Sequence, residues 1–231
     1  MNAQHNRPQK PEYETITLEK LNKENRERIE RVGEELKDGF DLIKKHEKSV
    51  TVFGSARTLE SESDYIVCRN LTKKIVEELP DYAVITGGSL GIMEAANRGA
   101  HEGKGQSLGL NIKLPNEQAS NKYLTDEVNF DYFFTRKVCL TFSAEAYIYF
   151  PGGFGTLDEL FEVLTLIQTG KIEKRPVILV GKNYWNNLDK FIKDSLLSAE
   201  KIHKEDIDLY TITDDEEEII QLIKSSPIRL S

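Results

Sequence analysis

Apolar residues fall along this chain in two alternating patterns. Apolar-rich stretches at 50–53 (VTVF), 83–86 (AVIT), 107–114 (SLGLNIKL), 147–150 (YIYF) and 177–180 (VILV) are four to eight residues long. Most are rich in β-branched or aromatic residues, and all are too short for helices. They predict strands buried on both faces. Between them, apolar residues recur at helical spacing over 64–79, 92–102, 157–169 and 184–199, and Pro80, Gly103 and Gly170 stand just past the first three. Residues 127–134 read as extended, 135–145 as helical and 207–212 as a short strand. A last helix over 214–224 starts with DDEEE, where the helix dipole favours acids. Strands separated by helices predict an α/β fold, a Rossmann-like doubly wound parallel sheet in three layers.

Ahead of this alternation, 18–46 predicts one long helix. Its apolar stripe is Ile29, Val32, Leu36, Phe40 and Ile43, and the rest of its surface is charged. Such a stripe suits either packing on the chain's own domain or a subunit interface. Residues 1–14 are polar, contain Pro8 and Pro11, and predict a loose arm. The expected organisation is an arm and amphipathic helix over 1–47, then one Rossmann-like nucleotide-binding catalytic domain over 48–231.

Three predicted strands end in glycine-containing loops suited to anions: Gly54-Ser55-Ala56-Arg57, TGGSLG from Thr86 to Gly91, and PGGFGT from Pro151 to Thr156. Ligands of such sheets bind beyond the carboxyl ends of the strands. Glycines let backbone N–H groups approach an anion, and a helix N-terminus adds about half a positive charge. Three such loops on one sheet edge predict a phosphate-bearing ligand. They place Gly54, Ser55, Gly88 and Gly152 against it. Asp158 and Glu159 follow the third loop, in the first turn of the predicted helix. A loop that only holds phosphate gains little from a second negative group there. A loop that also does chemistry on the attached sugar could use one. Arg136-Lys137 comes at another strand-to-helix transition on the same edge. For Glu94, capping or burial against an amide fits as well as catalysis.

Other chemistries fail on spacing. The first turn, GSARTLE, lacks the dinucleotide G-x-G-x-x-G, and Asp158 stands where the third glycine of the Gly153-Phe154-Gly155 loop would be. No Gly-Lys-Ser/Thr follows a glycine loop, so a P-loop is absent. His5, His46, His101 and His203 are scattered on polar segments, which argues against a metal site or a histidine-activated nucleophile. Cys68 and Cys139 have no metal or redox spacing and read as reduced packing thiols. A net charge of −8 argues against nucleic-acid binding. No apolar run approaches the ~20 residues of a membrane span. The N-terminus lacks the apolar core of a signal peptide, so a cytoplasmic location is expected.

TGGSLGIMEAANRGA, the triplet Thr135–Lys137 and PGGFGTLDE together resemble the Lonely Guy family, cytokinin riboside 5′-monophosphate phosphoribohydrolases often mislabelled lysine decarboxylases. The long N-terminal helix and FGSAR resemble its longer bacterial branch, with Ser89-Leu90 where many members have Gly-Pro. The resemblance implies hydrolysis of the N-glycosidic bond of a nucleoside 5′-monophosphate, AMP or a cytokinin riboside monophosphate, to free base and ribose 5-phosphate without a cofactor. It implies catalytic roles for Arg136 and Glu159, and contacts from Glu117, Lys137, Gly153, Phe154, Gly155, Thr156 and Thr165. It also implies a homo-oligomer, a dimer or a hexamer, whose sites are completed by a neighbouring subunit. The alternative is a non-catalytic carrier or sensor of the same fold, such as a molybdenum-cofactor carrier, which would not need the Arg136/Glu159 pair. Decarboxylation by a pyridoxal enzyme needs a Schiff-base lysine, and Lys137 is the one candidate near the loops.

Overall fold

The apolar runs form strands of a single parallel sheet. The structure, a computed structural model, describes residues 17–114 and 120–227. The expected arm over 1–14 and the candidate Glu117 lie outside the described residues. The strands are β1 (Lys48–Phe53), β2 (Tyr82–Thr86), β3 (Gln106–Ile112), β4 (Asp126–Phe130), β5 (Ala146–Tyr149), β6 (Val177–Leu179) and β7 (Thr211–Ile212). They pair in parallel in the order β4-β3-β2-β1-β5-β6-β7. The order reverses at β1, which pairs Val50 with both Val84 and Ala146. The glycine loops after β1, β2 and β5 therefore emerge side by side at the topological switch point, where such sheets bind ligands.

Alternating residues of β1, β2, β5 and β6 feed two cores. On one face Val50, Val52, Val84 and Ile148 pack with Leu71 and Ile75 of α2 (Ser63–Glu78), Ala96 of α3 (Ile92–Glu102) and Ile220 of α7 (Glu216–Lys224). On the other, Phe53, Ile85, Leu108 and Tyr149 pack with Leu140 of α4 (Phe133–Thr141), Leu160 of α5 (Phe154–Gln168) and Trp185 of α6 (Lys182–Phe191). Burying one such aliphatic or aromatic side chain contributes roughly 1.5–3 kcal/mol. Cys68 and Cys139 are free and fully buried, and burial pushes both thiols up, Cys139 to about 12.

Several boundaries depart from the pattern, among them the end of α4, at Thr141 rather than 145. Helix α5 starts at Phe154 with Gly153 as its N-cap, so Gly155 and Thr156 are helical and Glu159 falls in the second turn. Glycine's low helix propensity pointed to a later start, and tertiary packing overrides it. Helix α4 starts at Phe133, two residues early, because Phe133 and Phe134 are exposed helix residues rather than a strand end. The 184–199 helix is α6 followed by a π-helical segment, Ile192–Leu197. The strand expected over 207–212 is a 3-10 turn, Lys204–Leu209, and then β7.

The first helix, α1 (Leu18–Lys44), is divided along its length. Its C-terminal half buries Glu35, Gly39, Leu42 and Ile43 against β4 and α4. Gly39 permits the close approach, since a Cβ there would lie 2.5 Å from Cys139 Sγ. Its N-terminal half is exposed, Leu18 and Ile29 included. The stripe thus packs on the chain itself at one end only.

Candidate functional site

Backbone bonds tie the three loops together. Ser55 N donates to Pro151 O at 3.1 Å, and Ile92 N donates to Ser55 O at 2.9 Å. The β1 loop is thereby pinned to the β5 loop and to the start of α3. Gly91 must be glycine for this: its φ is +67°, and a Cβ would lie 2.2 Å from Ser55 O. Together the loops open a cavity of about 1140 Å³ at the carboxyl ends of β1, β2, β3 and β5. That volume accommodates a nucleotide-sized ligand.

Glu159 lies in the cavity wall with only 9% of its surface exposed. Burial pushes its carboxyl up to about 7. The charges of Arg136 and Lys137 pull it down, and those of Glu162 and Asp158 push it up. Arg136 enters the same cavity from α4. Burial pulls its guanidinium down, and the charge of Glu159 opposes that shift. Its Nε is buried without a hydrogen-bond partner among the described residues. Gly87 makes room for the guanidinium, because a Cβ there would lie 2.6 Å from Arg136 Nη2. Lys137 is committed differently. Its Nζ lies 2.7 Å from Asp158 Oδ2 and 3.2 Å from Glu162 Oε2. Burial alone would lower this ammonium, but the two carboxylates outweigh it and raise it.

Of the residues singled out from sequence, Gly54, Ser55, Gly88, Arg136, Lys137, Gly153, Phe154, Gly155, Thr156 and Glu159 all line the cavity. Gly152 sits behind the loop. Its carbonyl accepts from Tyr184 OH at 2.6 Å, and a Cβ there would lie 2.1 Å from Thr156 Oγ1. Thr165 is exposed further along α5, away from the cavity, where its hydroxyl donates to Phe161 O. Glu94 also lies off the cavity and accepts from Tyr65 OH at 3.2 Å. Asn97 is buried and ties strands to helix: its Oδ1 accepts from Thr86 Oγ1 at 2.6 Å, and its Nδ2 donates to Ser107 Oγ at 3.0 Å. Arg57, the last residue of the first loop, lines the cavity, and so does Asn111, which was not singled out. Asn111 sits at the carboxyl end of β3, so the strand-end rule applied to every strand would have found it. Arg57 makes no ion pair among the described residues, in contrast to Lys137.

Comparison with known proteins agrees with this geometry. The model of the family described as "Possible lysine decarboxylase" matches residues 93–223. Over 159 residues the chain is 31% identical to the probable cytokinin riboside 5′-monophosphate phosphoribohydrolase LOG4 of Oryza sativa subsp. japonica, covering 66% of this chain and 68% of the relative. It is 33% identical over 148 residues to the cytokinin riboside 5′-monophosphate phosphoribohydrolase LOG7 of Arabidopsis thaliana, covering 63% and 67%. Among solved structures, the molybdenum cofactor binding protein of Rippkaea orientalis superposes with a TM-score of 0.53 at 25% identity, over 77% of this chain and 94% of that one. The glycine loops gathered at the switch point, the Arg136/Glu159 pair in their cavity and these matches have one common explanation: the chain belongs to the Lonely Guy family.

Proposed function

We propose that this protein hydrolyses the N-glycosidic bond of a nucleoside 5′-monophosphate, releasing the base and ribose 5-phosphate. The observation that carries this is Glu159, a buried carboxylate in the cavity wall one helical turn past an anion-binding glycine loop. Backbone N–H groups at the start of α5 hold the phosphate, and Arg57 in the cavity lining adds a cation that makes no ion pair among the described residues. Pinning the phosphate positions the ribose without touching the bond that breaks. As the base leaves, positive charge develops on the ribose ring, and ionised Glu159 stabilises it and orients the attacking water. Water oxygen bonds to C1′, the C1′–N bond breaks, and the base departs with a proton. Arg136 offsets negative charge on the phosphate or on the leaving base.

Lys137 does not fit the decarboxylase description. A Schiff base starts from a neutral amine, and Asp158 and Glu162 favour the charged form of this one. The same proposal makes the chain a cytoplasmic homo-oligomer. No helix among the described residues is long and apolar enough to cross a membrane.

Purified protein should release free base from AMP or a cytokinin riboside 5′-monophosphate and leave the corresponding nucleosides intact. Chromatography of the products tests this. Tight nucleotide binding without any turnover would instead favour the carrier alternative. Gly87→Ala is a finer test of the Arg136 geometry. The added methyl would meet the flexible ends of Arg136 and Met93, so the fold should tolerate it within about 1 kcal/mol. The displaced guanidinium should lower kcat/KM by about 10-fold or more. Unchanged kcat/KM would show that the position of Arg136 is not critical.

A further inference from the structure

We propose that Glu35, on the N-terminal helix and outside the cavity, is a positioning residue that sets the place of Arg136 in the site. This rests on the roles given above to Arg136 and Glu159. Glu35 is an acid with only 4% of its surface exposed, yet no step of the proposed hydrolysis uses it. Its Oε1 accepts from Asp131 N at 2.8 Å, and its Oε2 accepts from Thr135 Oγ1 at 2.5 Å. Those donors flank Tyr132, the N-cap of α4, which makes no side-chain capping bond of its own. Glu35 thus ties α1 to the residue just before the N-cap of α4 and to a side chain in its first turn, and a carboxylate there also suits the dipole of α4. The residue after Thr135 is Arg136.

The surroundings hold Glu35 in place. Arg31 Nε lies 3.5 Å from its Oε1, and Arg31 also pairs with Asp131, which Lys113 Nζ meets at 3.1 Å. Cys139 of α4 faces it from one helical turn further along. Glu35 is thus enclosed by α1, the end of β4 and α4, with both acceptor oxygens used. Removing it takes the acceptor from the Asp131 N–H and one of the two acceptors from the buried Thr135 hydroxyl, which keeps Tyr132 O at 2.8 Å.

The consequence can be read at Glu159. The charges that act on Glu159 are Arg136 and Lys137 from α4 and Glu162 and Asp158 from α5, and Tyr149 of β5 packs beside it. Glu35 is not among those charges. A change at Glu35 that moves α4 and its cations should therefore move the titration of Glu159. A purely structural role would lower the melting temperature and leave that titration in place.

The test compares wild type with Glu35→Ala, Glu35→Gln and Thr135→Val. It uses the pH dependence of kcat/KM for AMP hydrolysis and, independently of activity, the titration of Glu159 followed by carbon NMR of labelled glutamate. Glu35→Ala should move both the acidic limb and the Glu159 titration upward, by roughly half a unit to one unit. It should also lower kcat by about 10- to 100-fold. Glu35→Gln keeps the shape and the bond to Asp131 N, and Thr135 Oγ1 can accept from the amide, so most of the shift should be reversed. Thr135→Val breaks one of the two bonds and should give a smaller shift of the same sign, which decides the matter if the alanine variant does not fold. A folded Glu35→Ala or Thr135→Val protein with the wild-type Glu159 titration overturns the proposal, even if kcat has fallen. Absence of base release by wild type would count against the proposed function alone, since the NMR titration still reads the link from Glu35 to Glu159.

Discussion

Glu159→Gln should cost roughly 10³-fold in kcat and at the same time stabilise the fold above neutral pH. The catalytic loss follows from the charge. An amide cannot offset the positive charge on the ribose, and it is a poor acceptor for a proton from water. The stability gain follows from linkage. Burial lifts the folded carboxyl from 4.5 to about 7. Between these values the native state binds more protons than the unfolded chain, so stability falls as pH rises through this window. Below about pH 4.5 both states are protonated and the cost vanishes. Above pH 7 it is complete, on the order of 3 kcal/mol for such a shift. Glutamine is neutral throughout and avoids it. Calorimetry should therefore show nearly equal melting temperatures at pH 4, where Glu159 is protonated, and a rise on the order of 5–10 °C for the variant at pH 8. A variant that keeps a tenth or more of wild-type kcat would remove Glu159 from its proposed role. Equal melting temperatures at pH 8 would show that burial does not strain this carboxylate. In wild type, kcat/KM should rise with pH through about 7 and level off above it, since the ionised form is the active one.

Arg136→Ala should lower kcat/KM by about 10²- to 10³-fold, and the loss has two separable parts. One is the missing cation at the phosphate or leaving base. The other is electrostatic and acts through Glu159. Arg136 is the largest of the charges holding the Glu159 carboxyl down, so its removal should push the acidic limb of the pH profile further up. The variant should regain part of its activity at pH 8 to 9, which loss of a binding contact alone would not produce. Arg136→Lys should not restore wild-type rates, because a point charge cannot reproduce the planar guanidinium wedged against Gly87. A limb at the wild-type position in Arg136→Ala would separate the two residues electrostatically and undo the coupling on which this expectation rests.

The parts of the site legible in sequence are those with a local signature. Glycines just after the apolar strands marked the loops after β1, β2 and β5, and these loops meet around one cavity. Arg136 and Glu159 stood out because each follows a strand end on the same edge. The start of α5 was less legible, because glycines at 153 and 155 argue for loop while packing of the helix on the sheet draws them into its cap and first turn. Thr165 could be assigned only through family resemblance, and within one chain it faces solvent on α5, clear of the cavity. The amphipathic stripe of α1 was visible, but its division into a docked half and an exposed half was not. That depends on where β4 and α4 end, and no periodicity within α1 encodes it.

Sequence by itself determined the layer architecture, the glycine loops at the strand ends and the odd acid beyond the third of them. These follow from spacing and residue type, which act over a few neighbouring positions. Tertiary structure decided the rest. It committed Lys137 to Asp158 and Glu162, placed Glu35 at the start of α4, and raised Glu159 to about 7. Each of these is a sum over groups brought together by the fold, 21 positions apart for Lys137 and Asp158 and 100 apart for Glu35 and Thr135. Desolvation and Coulomb forces act through space, so only the folded chain sets their size.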